Sequence, residues 1–376
     1  MTGTSEPGGV VRTIGFPGRY VQGPGALAGI GRLFADLGYR RPLALADGVV
    51  KDKVWPAASA ALAEAGIVPA LADFPGECTR AVIAALSEAA RAEGIDSVVV
   101  FGGGKAIDSA KGVARALDLP IVICPTVASS DAPTSRLIVL YDETHRLVGV
   151  DFTRRNPDAV VVDTAIIARA PARLFAAGIG DAMSKRFEAR QCRAAGGLNS
   201  FGTQALETAL LLTETVFDRL CARGPAAYAA VRAGRWSPDV ESVVEATVLV
   251  SGVGFESGGL SLAHALIRGL TAIPAMAGML HGELVAFSTL VQLCVEGQDE
   301  ATCNAVMDLM AAVDLPMTLA ALGQSEPLTE AEKALVAEAT LATNYSRHMA
   351  PPLTAEALIR GIEAADALGR ARRLKA

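Results

Sequence analysis

The run Ser97-Val98-Val99-Val100-Phe101-Gly102-Gly103-Gly104-Lys105-Ala106-Ile107-Asp108 decides the fold. Its first half is apolar without alternation, which describes a strand buried on both faces of a covered sheet. Gly102 ends the strand, and Lys105 to Leu117 takes up helical spacing. Glycines at a strand-to-helix turn let backbone amides approach a phosphate at a helix N-terminus. The spacing is neither Gly-x-Gly-x-x-Gly nor the Gly-Lys-Ser/Thr of a P-loop. An ordinary turn is the plain alternative, but successive glycines exceed what a turn needs.

The same alternation extends outward on both sides. Pro42 to Asp47, Val68 to Leu71, Pro120 to Cys124 and Val160 to Asp163 read as strands, and Trp55 to Gly66 and Arg80 to Glu93 as helices. Arg136 to Tyr141 and Leu147 to Val150 suggest a hairpin around Asp142-Glu143-Thr144-His145. Strands alternating with helices imply a parallel sheet with helices on both faces. From Pro171 the period becomes helical: Leu174 to Arg193, Gly202 to Arg223, Pro225 to Ala233, Ser237 to Glu256 and Leu284 to Glu296 read as helices. The expected organisation is a loose tail over 1–10, a Rossmann-like α/β domain over 11–167 and an all-helical domain over 168–376.

The totals narrow the function classes. The chain has 376 residues, 51% of them apolar, with a net charge of -6. That length supports a large core, and the charge disfavours a nucleic-acid partner. No apolar stretch is long enough for a membrane span, and Met1 to Gly9 has no signal-peptide pattern. The 6 cysteines are scattered and form no Cys-x-x-Cys pair. They read as reduced thiols in a cytoplasmic protein.

Several polar residues carry chemistry. Asp47 ends a strand, where a carboxylate can accept from a ribose hydroxyl and would repel a 2'-phosphate, favouring NAD; it can equally cap a helix. The loop Pro125-Thr126-Val127-Ala128-Ser129-Ser130-Asp131-Ala132-Pro133-Thr134-Ser135 follows a strand, at the sheet edge where such folds bind ligands. Its hydroxyls suit ribose and phosphate, and Asp131 suits a substrate hydroxyl. Asp181, His264 and His281 could supply one carboxylate and two imidazoles to a divalent metal, leaving open positions for substrate. Read singly, Asp181 after glycines is also an N-cap at a helix start, and each His is also a satisfied packing group. His145 and His348 read as surface groups.

Five motifs together resemble the glycerol dehydrogenases, within the iron-containing alcohol dehydrogenase and dehydroquinate synthase-like superfamily. They are Gly102 to Asp108, Ser130-Asp131-Ala132-Pro133-Thr134-Ser135, Gly178-Ile179-Gly180-Asp181-Ala182, Gly252-Val253-Gly254-Phe255-Glu256-Ser257-Gly258-Gly259-Leu260 and His281-Gly282-Glu283-Leu284-Val285-Ala286-Phe287. The resemblance spans nearly the whole chain. It implies a dehydroquinate synthase-like fold with the active site in the cleft between the domains. It implies one zinc on Asp181, His264 and His281, and a substrate contact from Asp131. It implies NAD contacts from Asp47, Gly103, Gly104, Lys105, Asp108, Thr126, Ser129, Ser135, Leu137 and Tyr141. It further implies a small-molecule substrate and a homo-oligomer, an octamer.

The expected activity is NAD-dependent oxidation of glycerol or a related vicinal diol to the hydroxyketone, and the reverse. Iron-type relatives carry a fourth ligand, His, where this chain has Lys185, which favours a three-ligand zinc site. Arg136, Lys185, Arg268 and Leu284 depart from the commoner residues. The first three add positive charge, so an anionic hydroxy acid or polyol phosphate is the rival substrate class. A dehydroquinate synthase-like cyclase and a non-catalytic NAD-binding protein are more distant alternatives.

Overall fold

The computed structural model describes residues 10–143 and 146–373. The expected tail over 1–10, apart from its last residue, and the turn residues Thr144 and His145 lie outside the described residues. The strands are β1 (Tyr20–Gly23), β2 (Pro42–Ala46), β3 (Ala70–Asp73), β4 (Ser97–Gly102), β5 (Ile121–Pro125), β6 (Leu137–Tyr141), β7 (Leu147–Phe152) and β8 (Ala159–Asp163). Six of them form a parallel sheet in the order β1-β8-β5-β4-β2-β3, while β6 and β7 form the separate antiparallel hairpin. From Ala172 onward the chain is mostly helical.

Strands β2, β4, β5 and β8 are buried at every residue, as their unbroken apolar runs require. Alternate residues divide between two cores. Leu43, Leu45, Val98, Val100, Ile121, Ile123, Val160 and Val162 join the core that continues into the helical region through Phe175 and Ile179. Ala44, Ala46, Val99, Phe101, Val122, Cys124, Ala159 and Val161 pack on the opposite face against Ile30, Phe34 and Leu62. One sheet face is therefore the floor on which the helical region rests.

The order of connection sets the position of the cleft. β2 leads outward to β3, and β4 leads the other way to β5. The crevice of an open α/β sheet forms at such a reversal, at the carboxyl ends of the strands. Here it opens between β2 and β4, where Asp47 follows one strand and Gly102–Gly104 closes the other.

Four expectations about the elements are corrected. β1 was not expected; it pairs in parallel with β8 from Tyr20↔Val160 to Gly23↔Asp163. The stretch expected as one helix from Leu174 to Arg193 bends at Ser184 into Ala172–Met183 and Lys185–Ala194. Asp181 consequently lies in the last turn of a helix, not at a helix start. Glu207–Arg232 runs unbroken through Pro225. Val216, Leu220, Ala227 and Val231 are buried on either side of it, and that packing outweighs the one lost backbone bond. Finally, Pro238–Val244 and Ser251–Gly258 are joined by a π-helical segment, Glu245–Val250. The Thr134 hydroxyl, from the Asp131 loop, donates to the Val248 carbonyl in that segment at 3.0 Å. Among the described residues no single helix is long and apolar enough to cross a membrane.

Candidate metal and dinucleotide site

The turn after β4 has the form a phosphate needs. Gly103 is the N-cap of Gly104–Leu117 and has an extended backbone without a side-chain cap. The first amides of a 14-residue helix thus lack a side-chain acceptor, which suits an anion. A Cβ on Gly103 would stand 3.2 Å from Val127, and one on Gly104 3.6 Å from the Ser130 hydroxyl, so the following loop lines the same turn. Thr126 N donates to the Gly102 carbonyl at 3.1 Å and ties that loop to it. Asp47 lies one residue beyond the pair Ala46↔Phe101, beside the turn. Its Oδ1 caps the next helix through Val50 N at 2.9 Å, so the capping role is real and only Oδ2 is spare for a ribose.

Other residues expected at the dinucleotide have structural duties. Lys105 is paired with Glu77 at 2.7 Å and its ammonium lies 5.1 Å from the Tyr141 ring centre. Asp108 is buried and accepts from Val139 N at 3.1 Å. Burial pushes its carboxyl up to about 7, against the pull of Lys111. The fully buried Lys111 donates to the carbonyls of Ala132 at 2.6 Å and Leu137 at 2.9 Å, and lies 3.4 Å from the Ser135 hydroxyl. Asp108, Ser135 and Leu137 therefore help anchor the Asp131 loop and the hairpin to the helix after the glycine turn. Lys111 was missed in the sequence because a lysine inside a helix ordinarily points to solvent.

Asp181, His264 and His281 converge. Their ligand atoms all lie within 4.8 Å of one another. Asp181 Oδ1 is 3.4 Å from His264 Nε2 and 3.9 Å from His281 Nε2. Asp181 is buried, His264 nearly so, and His281 is 48% exposed at the mouth. The helices that carry Asp181 and His281 meet backbone to backbone at glycines. A Cβ on Gly282 would lie 1.7 Å from the Ala177 carbonyl oxygen, one on Gly180 2.4 Å from that of Gly282, and one on Gly178 1.9 Å from that of Ala128. Glu283 steadies the His281 turn by accepting from Leu280 N at 2.9 Å and from the Arg173 guanidinium at 2.6 and 2.9 Å.

A divalent ion fits this set on three counts. Asp181 Oδ2 is buried without a hydrogen-bond partner, which is costly unless something positive takes it. His264 Nδ1 lies 2.6 Å from Glu188 Oε2, the carboxylate–imidazole contact that leaves Nε2 for a metal. The electrostatics also pull in that direction. Asp181 is held well below the usual carboxylate range: burial opposes this, but Lys185, His264 and His281 outweigh it. Burial likewise opposes the drop of Glu188 to about 2, caused by His264 and Lys185. His281 is pulled below the ordinary imidazole value by the packing around it and by the His264 and Lys185 charges, against Asp181, so its lone pair is free.

Of the departures from the commoner residues, only Lys185 enters this site. It is fully buried, 2.5 Å from Asp181 Oδ1, 3.1 Å from Asp131 Oδ2 and 3.3 Å from His264 Nε2. Arg136 instead bonds Glu256 at 3.1 Å and the Ser200 carbonyl at 3.1 Å, with Phe201 beneath its guanidinium. Arg268 is exposed and reaches the Leu147 carbonyl on the hairpin at 3.3 Å. His348 is not a plain surface group: it is partly buried, with Nδ1 2.7 Å from the Leu260 carbonyl. Glu188, which orients His264, was missed although its spacing held a clue. It lies three residues after Lys185 on the helix Lys185–Ala194, so one helix face carries both.

A glycine turn suited to a dinucleotide and an Asp/His/His set able to hold a metal fit a dehydrogenase built in two parts. Residues 17–164 match the iron-containing alcohol dehydrogenase family. Glycerol dehydrogenase of Pseudomonas putida is 41% identical over 365 residues, covering 96% of this chain and 98% of that protein. The structure is also similar to that of a probable glycerol dehydrogenase from Sinorhizobium meliloti 1021, at 38% identity, a TM-score of 0.87 and coverage of 96% and 99%. Glycerol dehydrogenase from Schizosaccharomyces pombe superposes with a TM-score of 0.88 at 31% identity, over 98% of this chain and 93% of that one. The chain belongs to the iron-containing alcohol dehydrogenase family and is a glycerol dehydrogenase-like polyol dehydrogenase.

Proposed function

We propose that the chain oxidises glycerol or a related short 1,2-diol to the hydroxyketone, and catalyses the reverse, with NAD as hydride acceptor and one zinc per chain. The observation that carries this reading is the Asp181, His264 and His281 set with the partnerless Asp181 Oδ2, a short reach from Asp131. A zinc held by these three side chains would supply Lewis acidity that lowers the pKa of a substrate hydroxyl. Gly103, Gly104 and the helix they open would bind the pyrophosphate, with Thr126 and Ser129 on the adjoining loop and Asp47 Oδ2 at the ribose. Lys105 and Tyr141 stand at the hairpin end of the same cofactor groove. Glu188 holds His264 in the ligating tautomer, and Asp131 accepts from a substrate hydroxyl. No side-chain base is required, since the proton can leave through water or the ribose hydroxyls.

The anionic-substrate reading loses most of its support. Arg136 and Arg268 are engaged away from the metal set, and Lys185 is bracketed by carboxylates. We place the division between the two functional halves at residues 167 and 168. All six cysteines are free, which fits a cytoplasmic enzyme, and the family resemblance supports a homo-oligomer, an octamer. The deciding experiment is a screen of zinc-loaded protein with NAD against glycerol, 1,2-propanediol, 2-hydroxy acids and glycerol phosphates. Turnover of the neutral diols is expected. Turnover of a carboxylate or phosphate substrate with none of any diol would reject the reading.

A further inference from the structure

Lys185 is a buried cation whose partners are all groups of the site: Asp181, Asp131 and His264. An ammonium has three hydrogens and no lone pair. Two of its neighbours, Asp181 Oδ1 and His264 Nε2, belong to the ligand set, and the imidazole nitrogen has at most one lone pair to give. An ion on that set takes the lone pair, and one Lys185 hydrogen is then left to point at whatever lies between the ligand set and Asp131. That is where a substrate bridging the two must sit. Asp131 Oδ2 is meanwhile fixed by Lys185 at 3.1 Å and lies 3.4 Å from the Ser251 hydroxyl, while Oδ1 has no partner among the described residues.

We propose that Lys185 and Asp131 form a donor–acceptor clamp that reads the non-reacting hydroxyl of the diol, which donates to Asp131 and accepts from Lys185. The inference rests on the diol reading above and adds the residue that makes it selective. A hydroxyl does both things at once. A carboxylate or phosphate oxygen has no hydrogen for Asp131 and meets its negative charge. A monohydric alcohol offers no second oxygen and leaves a buried charged pair short of partners, which is the strongest form of discrimination a polar site can exert. Because the clamp is neutral as a pair, Lys185 adds a donor without adding attraction for anions. The Thr134 and Lys111 contacts hold the Asp131 loop at the height the clamp needs.

The test compares kcat/KM for 1,2-propanediol and 1-propanol, with NAD and zinc-loaded protein, in the wild type, Lys185→Met, Asp131→Asn and the double variant. Zinc content and NAD binding are measured on each. The clamp predicts that Lys185→Met lowers the diol-to-alcohol ratio by about ten- to a hundredfold, the range for a charged hydrogen bond. Zinc per chain should stay unchanged, and the double variant should lose little beyond either single one. Equal losses on both substrates, additive losses in the double variant, or loss of zinc from Lys185→Met would each overturn it. If Lys185→Met fails to fold by thermal melting, Asp131→Asn decides alone: a fallen ratio supports the clamp and an unchanged one overturns it. A wild-type protein that turns over no neutral diol at all is a different result and rejects the diol reading itself.

Discussion

Glu188 accepts from Ser261 N and His264 N at 3.0 Å each and meets His264 Nδ1 at 2.6 Å. One buried carboxylate thus caps the helix Leu262–Thr271 from outside and fixes the imidazole that the same helix carries. Replacing it with Gln keeps the volume but lets the amide face Nδ1 and loosens the tautomer. Glu188→Gln should therefore weaken zinc binding about 10- to 100-fold with NAD binding intact. Chelator competition would measure it, and unaltered affinity would contradict the role. The ion-free His264 also predicts a pH dependence. Burial pulls its pKa down, but Glu188 and Asp181 raise it to about 9. Below that value an incoming ion must displace a proton. Apparent zinc affinity should thus fall about tenfold for each pH unit below it and level off above. A flat affinity from about pH 7 to about pH 10 would be inconsistent with that protonated imidazole.

The helices are brought to bonding range by what their glycines lack. Ala172–Met183 and His281–Glu296 touch through Gly180 and Gly282, and Gly178 lets the first of them rest on the Ala128 carbonyl of the sheet domain. Gly282→Ala puts a methyl 1.7 Å from a carbonyl oxygen of a packed helix. The expected cost is about 1–3 kcal/mol of stability, and the shift moves His281, so zinc content should fall with it. Denaturant melts with metal analysis would show both, and a variant with wild-type stability and zinc would refute the packing role. The fold was legible at this scale wherever burial alone dictates sequence, as in β2, β4, β5 and β8. β1 escaped because Tyr20–Gly23 is an edge strand with half-exposed residues and no apolar run, held by its pairing with β8. The bend at Ser184 and the passage through Pro225 escaped because tertiary packing overrode local preference. The glycine turn and the Asp/His/His set were legible as motifs. The nearness of Lys185 to Asp131, and the internal duties of Asp108 and Ser135, depend on how a helix is seated against a loop, which spacing does not record.

At the scale of the molecule, the sheet's reversal between β2 and β4 puts a carboxylate and a glycine cradle side by side. Asp47 links the two readings of that crevice. Its Asp47→Gly variant loses only a few tenths of a kcal/mol as an N-cap, since Gly is itself tolerated there, so a change in cofactor choice would report the ribose contact. NAD should be preferred to NADP in the wild type, and the ratio of specificity constants should narrow in the variant. Equal use of both cofactors by the wild type would rule the contact out. The halves are bolted by Arg136, whose backbone N and guanidinium both bond the buried Glu256 across the interface. Asn156 joins the same carboxylate at 2.5 Å. This bolt holds the end of the Asp131 loop against the helix Ser251–Gly258 of the helical region, which also carries the candidate metal site. The most direct measurement of that site is the zinc content and NAD-dependent diol oxidation of His264→Ala and His281→Ala beside the wild type, with NAD binding measured on each. One zinc per wild-type chain is predicted, with zinc and activity lost together in both variants while NAD still binds. Full zinc occupancy in both variants would contradict the assignment.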